Sequence, residues 1–580
     1  MLQLNWRKLL LFVGLLPPIL LAFLISKYGV DFIDWDQWWV AGLFEKSARG
    51  ALTLADLNGQ QAEYRSFFPN VLFVNLGWLT HWNIKYEMAV SFLLGCLIFL
   101  NVYFLAKKTL NNPALMPILL VVSSLLIFST AQFETWLLGE QIIYFVPVLC
   151  ITTGLLIIYS QLPVGIKLFF CILLSTVSTF SSANGFVSWI VLFPGLWTCT
   201  KSTSRGFRYT LIASWCVSIA INAAFYLHDY HRPPYTPSTT ASFNAPVRAV
   251  VFFFACVGAP LSTNTRFLFV AIILGSVITV LFVICCLYQI KFARQSTISY
   301  RLMPWLMLGT YSVLTSMMIT FGRLGGGFLQ SVNSRYVTFS LYLIVSLLFA
   351  IPIIVEDSKS RGWLIQRMRL IKPVGILALS TLILLHLVNS AASIRQMGYM
   401  RTRRLQARSC LLFINSVSDK CITQGFPDRN TVAAAANAMN ALGFLRPPLI
   451  NSNLIEEIQN KNVQSGSRFG AFEQLQRNND STLYVAGWAW LPNRNEPPDA
   501  VLLVYQNSAG EKRIFALADL PLKQTLWGDG PTKADAVAGR WEKSFPVERV
   551  PELPTTLSAW AFDATTGKAY LLENTQRVER

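Results

Sequence analysis

Charged residues are scarce in this chain: Asp, Glu, Lys and Arg make up 13% of its 580 residues, whereas hydrophobic residues make up 53%. The mean hydropathy of +0.45 is too high for a soluble protein of this length. The apolar residues are also gathered into long runs. This composition excludes a soluble globular protein and predicts an integral membrane protein.

Two nucleotide-binding motifs are missing as well. The chain has no GxxxxGKS/T, and no GxGxxG follows a strand, which argues against nucleoside triphosphate hydrolysis and against a Rossmann cofactor domain. The "GRLGGG" stretch at 322–327 lacks that context and is typical of a hinge. The net charge of +18 does not indicate nucleic-acid binding, because the basic residues lie mainly in short connections, the pattern of positive-inside loops.

Apolar runs recur through the first 400 residues. About eleven of them meet or approach the ~20 residues that a helix needs to cross the hydrocarbon core of a bilayer. They begin near positions 9, 86, 115, 143, 167, 186, 209, 267, 302, 337 and 371. Charged residues, and no small-residue cleavage site, follow the first run, so we interpret it as a retained anchor.

Basic residues at the ends of the first runs predict the orientation. Arg7 with Lys8, and Lys107 with Lys108, flank the segment 29–85. Because cytoplasmic loops carry an excess of Lys and Arg, these ends are expected inside. The segment 29–85 is then a large external loop.

The short run at 247–260 leaves the later topology open. A full span places the basic loops 291–301 and 356–372 outside, whereas a re-entrant segment entered from outside returns both to the cytoplasm and leaves the tail outside. Cys410 and Cys421, the two cysteines of the tail, weakly favour an outside tail, because their spacing suits a disulfide in an oxidising compartment. Two free thiols are the alternative.

The chain changes character after residue 400. Residues 401–480 read as a mixed helical linker region. From 481 to 580, short β-rich runs such as "TLYVAGWAWLP" and "AVLLVYQN" alternate with Gly, Pro, Asn and Asp turns, which predicts a β-sandwich. For the tryptophans of these strands, core packing is favoured over a platform for sugars.

The external loop opens with "DFIDWDQWW" at 31–39, which sets carboxylates among indoles. Such a pattern suits a polar, hydroxyl-rich substrate, because Asp34 or Asp36 would take a hydroxyl proton while Trp35 and Trp38 cover the apolar faces of a sugar. In the alternative interpretation, the acids solvate the loop and the tryptophans form an interfacial belt.

Further polar residues lie at the ends of the runs. Acids at membrane depth are costly unless they are paired or functional, which draws attention to Glu134 and Glu140 of "QFETWLLGEQ". The alternatives for these acids are positioning of the acceptor, for which Glu134 and Gln141 are the candidates, pairing with Arg65, and capping of helices. The "YLHDYHRPPY" stretch has His228 and His231 at a spacing that would suit a metal, but it lacks a third strong ligand. A structural or substrate-lining role is therefore favoured for both histidines, and no metal site is predicted.

The order of these features resembles the GT-C class of polyprenyl-phosphate-dependent glycosyltransferases. The segment "DQWWVAGLFEKSARGALTLADL" is similar to the corresponding stretch of bacterial sugar transferases that modify lipid A or surface glycans. The motifs "EYRSFFPNVLF", "QFETWLLGEQ", "SSANGF" and "NSRY" also resemble bacterial GT-C-like proteins. The resemblance covers residues 1–400 and implies a polytopic α-helical fold. Gln37 departs from it, since many members have a second acid there.

The resemblance also implies a mechanism and its residues. Asp36 matches the position of the general base and Asp34 is the second choice, while Glu63 or Asp34 would supply any second carboxylate. The phosphate of the donor needs positive charge, and Arg is the preferred partner of phosphate oxygens. The candidates for this role, in order of preference, are Arg335, then Arg65, Arg323 and Arg248.

The sequence thus predicts a bacterial inner-membrane glycosyltransferase with its active site and C-terminal domain on the periplasmic side. It would transfer a sugar, with inversion, from a polyprenyl-phosphate carrier to a glycan or glycolipid acceptor. The sequence does not tell whether a divalent cation takes part. The alternatives are a transporter or flippase for lipid-linked glycans and a glycan polymerase.

Overall fold

The structure, a computed structural model, describes residues 6–200, 203–234, 236–362, 368–417, 429–461, 469–479, 481–520 and 539–579. The chain divides into two compact units. Unit 1 consists of Met1–Gly29, Leu52–Phe73 and Lys85–Ile394. Unit 2 consists of Val30–Ala51, Val74–Ile84 and Arg395–Arg580.

Helices make up most of the described chain. They are α1 Trp6–Tyr28, α2 Trp38–Ala48, α3 Leu54–Leu57, α4 Phe67–Thr80, α5 Ile84–Thr109, α6 Leu115–Ile127, α7 Phe133–Leu137, α8 Ile142–Ile158, α9 Val164–Thr179, α10 Val187–Cys199, α11 Arg205–Leu227, α12 Thr240–Asn244, α13 Pro246–Gly258, α14 Leu268–Lys291, α15 Ser296–Arg323, α16 Ser334–Ser360, α17 Met368–Leu412 and α18 Arg429–Ala441.

Eight helical segments among the described residues are long and apolar enough to cross a membrane. They are Ile84–Thr109, Leu115–Leu137, Gly139–Ile158, Arg205–Leu227, Thr265–Lys291, Thr297–Gly326, Ser334–Ser360 and Ile371–Leu412. Each corresponds to a predicted run, so the membrane character of the chain is confirmed at this level. The predicted runs near 9, 167 and 186 form shorter apolar helices.

The run at 247–260 also forms a short helix, α13. Its 13 residues extend about 20 Å at 1.5 Å per residue, less than the thickness of a hydrocarbon core. α13 packs closely on α14 where Gly258 and Gly275 face one another. A Cβ at Gly275 would lie 1.8 Å from the carbonyl oxygen of Phe254, so only glycine permits this approach.

Unit 1 is built around one large apolar core formed by its long helices. Trp305 of α15 stacks on Phe349 of α16, with ring centroids 4.0 Å apart. The indole nitrogen of Trp305 donates a hydrogen bond to the hydroxyl of Thr109, 3.0 Å away. Aromatic packing and a satisfied indole thus fix α15 and α16 against α5. A two-stranded hairpin, β1 Gln60–Gln61 and β2 Tyr64–Arg65, also belongs to this unit.

Unit 2 contains a single seven-stranded sheet. Its strands are β3 Gly470–Asn479, β4 Thr482–Ala489, β5 Ala500–Gln506, β6 Lys512–Ala518, β7 Arg540–Pro546, β8 Thr555–Asp563 and β9 Lys568–Val578, in the order β6-β5-β8-β9-β3-β4-β7. The two outermost strands also meet, because Asp519 and Glu542 exchange backbone hydrogen bonds of 2.7 and 3.1 Å. The sheet therefore closes on itself.

The seven strands, which the sequence predicts as a β-sandwich, surround one apolar core. One apolar core receives side chains from all seven strands, including Phe472, Val485, Trp541 and Tyr570. A second apolar cluster covers the other face of β5 and β8, where Trp560 packs together with residues of α17 and α18. The strand-rich character of the C-terminal region is confirmed. Its closure was not predicted, because alternation of apolar residues does not reveal which edge strands meet.

Unit 2 also contains Cys410, which is disulfide-bonded. The eight cysteines of the described membrane helices are free thiols. Cys421, with which the sequence paired Cys410, lies outside the described residues.

Candidate active site

The opening acidic segment belongs to unit 2, where Trp35–Gln37 form a single 3-10 turn that leads into α2. Trp35 has a φ of +40°, a conformation that is strained for a bulky side chain. Its ring is nevertheless 54% exposed, whereas Trp38 packs partly against the apolar core of unit 2. A strained, exposed aromatic residue is typical of a functional position, so Trp35 is the better candidate of the two.

Asp34 is bound to a buried arginine. Nε and Nη2 of Arg404 donate to Oδ2 of Asp34 over 3.1 and 3.2 Å. The side chains are 4% exposed for Arg404 and 15% exposed for Asp34. This oxygen already accepts two charge-assisted hydrogen bonds, which gives Asp34 a structural role. Asp34 is therefore no longer a candidate for the general base.

Asp36 differs from both acidic neighbours in its exposure. Asp31 accepts a hydrogen bond of 3.0 Å from the backbone nitrogen of Ile84, and its other oxygen lies 4.0 Å from Nη2 of Arg408. Asp36 lies on the 3-10 turn with its side chain exposed. Of the three aspartates, Asp36 is the one with an exposed side chain, and it remains the candidate that the sequence preferred.

Unit 1 contains most of the other residues that were predicted to belong to the site. Two of them, Glu63 and Arg323, form an ion pair. Glu63 occupies the turn between β1 and β2, and Arg323 is the last residue of α15. Nη1 and Nη2 of Arg323 lie 2.9 and 3.0 Å from the two carboxylate oxygens of Glu63. This bidentate ion pair fixes both side chains. Arg323 is thus already paired with a carboxylate.

Arg335 is positioned by the start of α16. Asn333 caps this helix, its side chain accepting from the backbone nitrogen of Arg335 at 3.3 Å. Glu134 Oε2 accepts from the same nitrogen at 3.2 Å, and the backbone nitrogen of Glu134 donates to the hydroxyl of Ser334 at 3.0 Å. These contacts bind the motifs "QFETWLLGEQ" and "NSRY" together, which the sequence did not predict.

The guanidinium of Arg335 retains an unused donor. Its Nε is buried and has no hydrogen-bond partner among the residues that the structure describes. The charge interacts with Glu134, Glu140, Tyr144 and Tyr336. Both tyrosines also interact with Arg323. The ion pair of Arg323 and the N-terminus of α16 therefore belong to one cluster. We call it the Glu–Arg cluster; its members are Glu63, Glu134, Glu140, Arg323 and Arg335.

A buried amide, that of Gln141, extends this cluster, and other buried amides lie elsewhere in unit 1. Gln141 is 2% exposed and donates to Glu140 Oε1 over 3.0 Å. The side-chain oxygens of Gln132, Gln141 and Asn184 are buried and have no hydrogen-bond partner among the described residues. Unsatisfied polar atoms are costly inside a helix bundle, and each therefore requires an explanation such as a bound ligand.

Two of the predicted arginines lie in different surroundings. Arg65 is buried, and its guanidinium donates to the backbone carbonyls of Asn58, Tyr226 and His228. Arg65 anchors the hairpin with these donors and is therefore no longer a candidate for binding phosphate. Arg248 is exposed on α13 and lines an open cavity of about 500 Å³ together with Val251, Phe328 and their neighbours.

The histidine loop has a structural arrangement. Nδ1 of His228 lies 3.0 Å from Asp229 Oδ2, and both side chains are more than three-quarters exposed. The backbone nitrogen and carbonyl of His231 both bond with the side chain of Gln60. Across the described ranges, no group of three His, Cys, Asp or Glu side chains is arranged to hold a metal ion.

The sequence interpretation missed three contributors. Arg404 is one of four arginines between residues 401 and 408 of α17, and nothing in that cluster predicts its pairing with Asp34. Tyr144 and Tyr336 gave no signal beyond being aromatic residues beside the two motifs. Their hydroxyls can donate hydrogen bonds within the Glu–Arg cluster, which makes them candidates for substrate contacts.

Comparisons of the chain with protein-family models, with curated proteins and with solved structures find no match.

Proposed function

We propose that this chain is a membrane glycosyltransferase. It transfers a sugar, with inversion, from a polyprenyl-phosphate carrier to a glycan or glycolipid acceptor on the outer face of a bacterial inner membrane. The GT-C-like architecture of residues 1–400 is part of this proposal. The membrane helices support a lipid-borne donor, and the disulfide of Cys410 supports an oxidising compartment around unit 2.

The unused donor of Arg335 is the observation that carries the proposal. A buried guanidinium nitrogen without a hydrogen-bond partner costs free energy, and an anionic ligand would remove that cost. Guanidinium groups match the oxygens of phosphate in geometry and charge. Arg335 therefore receives the role of binding the phosphate of the donor. Glu134 accepts from the backbone nitrogen of Arg335 and holds it in place, while Nε of the guanidinium has no hydrogen-bond partner among the described residues.

Proton removal is assigned to Asp36. The acceptor hydroxyl must lose its proton as the new glycosidic bond forms, while the bond between the sugar and the phosphate oxygen breaks. An exposed carboxylate can accept this proton, whereas Asp34 is occupied by Arg404. Attack opposite the leaving phosphate in one step inverts the anomeric centre.

Transport is the rival function, and one observation favours it. The buried amide oxygens of Gln132, Gln141 and Asn184 belong to helical segments, where polar side chains would line a path for a hydrophilic cargo. A flippase for lipid-linked glycans would use such a path without a general base. The two functions therefore differ in their dependence on Asp36.

Mass spectrometry of lipid-linked and surface glycans tests the proposal. A deletion strain is complemented with the wild-type chain, with Asp36→Asn or with Glu45→Gln, all at matched protein levels in the membrane. Glu45 is a second acid of the same segment and forms a surface ion pair with Arg49, so it serves as the matched control. We expect the deletion to remove one defined sugar, and wild type and Glu45→Gln to restore it.

The Asp36→Asn chain should restore less than a hundredth of that sugar, because removal of a general base costs about 10²–10⁴-fold in rate. Full restoration by Asp36→Asn would refute the role of Asp36. If the deletion strain instead keeps every sugar and accumulates a complete lipid-linked glycan on the cytoplasmic side, transfer is wrong and transport is favoured.

A further inference from the structure

The closed sheet of unit 2 has one side that the described residues leave exposed. The outer side of β5 and β8 is covered by the cluster around Trp560 and Phe562. On β4, burial alternates strictly, with Leu483 and Val485 facing the inner core and Tyr484 and Trp488 on the opposite side. Residues next to them on β3 and β7, such as Gln476 and Arg540, are exposed.

The strand registers place a consistent set of side chains on this side. Tyr484 pairs with Gln476 of β3 and Ser544 of β7. Two residues further, Ala486 pairs with Gln474 and Glu542, and Trp488 then pairs with Arg540. We call this surface the β4 platform; its members are Gln474, Gln476, Tyr484, Ala486, Trp488, Arg540, Glu542 and Ser544.

The two aromatic rings of the β4 platform are separated by a small residue, Ala486. Tyr484 and Trp488 are four residues apart on one strand, which corresponds to about 13 Å at 3.3 Å per residue. Ala486 lies between them and contributes a single methyl group. Two aromatic surfaces with a gap between them suit an elongated ligand that rests on both rings.

The polar members of the platform are held in place by one another. The hydroxyl of Tyr484 donates to Oε2 of Glu542 at 3.0 Å, and this hydrogen bond raises the pKa of the Tyr484 phenol, which therefore stays protonated at neutral pH. Arg540 pairs with Glu473, an exposed residue of β3, at 2.5 Å. The carboxylate and guanidinium groups held by these contacts, together with the exposed amides of Gln474 and Gln476, offer both donors and acceptors to hydroxyl groups.

The composition of the platform distinguishes between possible ligands. An anionic lipid surface or a nucleic acid would favour clustered Lys and Arg, but here Arg540 is balanced by Glu473 and Glu542. A protein partner would favour a broad apolar centre, whereas Gln474, Gln476 and Ser544 make this surface polar. Sugars combine apolar C–H faces with many hydroxyls, which matches rings flanked by amides and carboxylates.

We propose that the β4 platform binds an oligosaccharide, with Tyr484 and Trp488 each covering the face of one sugar ring. The inference deepens the proposed function and rests on it for the identity of the ligand, the acceptor glycan. It assigns the platform to holding the acceptor chain and not to the chemistry of transfer. Binding of glycan and transfer of sugar are therefore separate measurements.

The test uses the full-length chain in detergent micelles. The probe is the pool of oligosaccharides released by mild acid from the lipid-linked and surface glycans of the host cell, labelled with a fluorophore at the reducing end. Fluorescence anisotropy measures their binding to wild type, Trp488→Ala, Trp488→Phe and Arg513→Gln. Arg513 lies on β6, where it pairs with Glu511, and serves as the control for a charge outside the platform.

We expect Trp488→Ala to weaken binding at least tenfold, while Trp488→Phe keeps a ring and retains most of the affinity. Arg513→Gln should bind as wild type does. Matching thermal unfolding midpoints for all variants would show that Trp488→Ala is folded, and Tyr484→Ala provides a second variant should that midpoint fall. Asp36→Asn should still bind the pool, so that loss of transfer and loss of binding are distinguished.

The proposal is overturned if wild type does not bind the pool, or if Trp488→Ala and Tyr484→Ala both bind it as tightly as wild type. It is also overturned if soluble glycerophosphoglycerol binds with the same dependence on Trp488 while the sugars do not, because that result would assign the platform to lipid headgroups. Binding that depends on Trp488 in a chain with no transferase activity would retain the platform and reject the proposed function.

Discussion

The guanidinium of Arg404 and the carboxylate of Asp34 form a nearly buried ion pair, although 370 positions separate them in the sequence. The pair ties the opening acidic segment to α17 within unit 2. It also separates the roles of two aspartates that the sequence could not distinguish. Asp34 stabilises the segment, while Asp36, two residues later, has an exposed side chain.

Asp34→Asn should destabilise unit 2, because it removes the carboxylate that pairs with the nearly buried guanidinium of Arg404. Breaking a buried pair from one side costs on the order of 3–5 kcal/mol. Hydrogen exchange followed by mass spectrometry should show faster exchange in peptides that cover residues 30–48. Glu45→Gln, which removes an exposed ion pair with Arg49, serves as the control and should leave exchange in those peptides unchanged. Equal protection in the wild-type and Asp34→Asn chains would contradict the structural role of Asp34.

Arg335→Gln should abolish binding of the donor phosphate. Farnesyl phosphate, a short polyprenyl phosphate, is expected to raise the thermal unfolding midpoint of the wild-type chain, since a ligand that binds only the folded state stabilises it. Arg335→Lys keeps the positive charge but loses the planar set of guanidinium N–H donors. The increase in the unfolding midpoint caused by farnesyl phosphate should therefore be intermediate in this variant. Arg49→Gln, a change at an exposed arginine, should retain the full shift. An unchanged shift in Arg335→Gln would assign the phosphate to another residue.

Local composition was sufficient to predict the membrane helices. The runs that became α5, α14 and α16 are recognisable because hydropathy depends on residues close together in the sequence. The helix expected in the tail is also present as α18. The closed sheet was not recognisable, because the pairing of Asp519 with Glu542 joins the two edge strands of the sheet, and the strand order has to be known before its edges are. No periodicity within a strand encodes that contact.

The candidate site was predictable only where local composition identifies a residue. The motifs containing Glu134 and Arg335 were singled out because acids and arginines are rare near apolar runs, and the structure brings them into contact. The partners of Asp34 and Arg65 could not be predicted. Arg65 uses its donors on backbone carbonyls, which carry no side-chain identity, and Asp34 meets an arginine in a distant segment.

Gly275→Ala should disrupt the packing of α13 on α14. The added Cβ would lie 1.8 Å from the carbonyl oxygen of Phe254, so the two backbones must separate. The expected cost is about 1–3 kcal/mol, typical of overpacking, and it should appear as a lower thermal unfolding midpoint in detergent. Gly165→Ala is the matched control, because a Cβ there meets nothing within 4 Å. Equal midpoints for both variants would show that α13 and α14 do not pack as described.

The stability of unit 2 should depend on pH through Asp499. This carboxylate is 4% exposed, and burial raises its pKa to about 6, although Arg494 donates to it over 2.6 Å. Its pKa in the unfolded chain is about 3.9. Between these values the folded state binds a proton that the unfolded state does not, so stability conferred by this group is present below about pH 4 and is lost as the pH rises to 6.

Asp499→Asn should therefore flatten the pH dependence of stability between pH 4 and 6. The comparison of wild type with variant isolates this residue, because all other carboxylates are common to both. Asp563, a second partner of Arg494, has a lowered pKa despite its burial, since it accepts hydrogen bonds from Thr565 and Asn493, and its effect falls at lower pH. Hydrogen exchange in β5 and β8, corrected for the intrinsic rate at each pH, provides the measurement. A slope in Asp499→Asn equal to that of wild type would show that Asp499 remains ionised throughout this range.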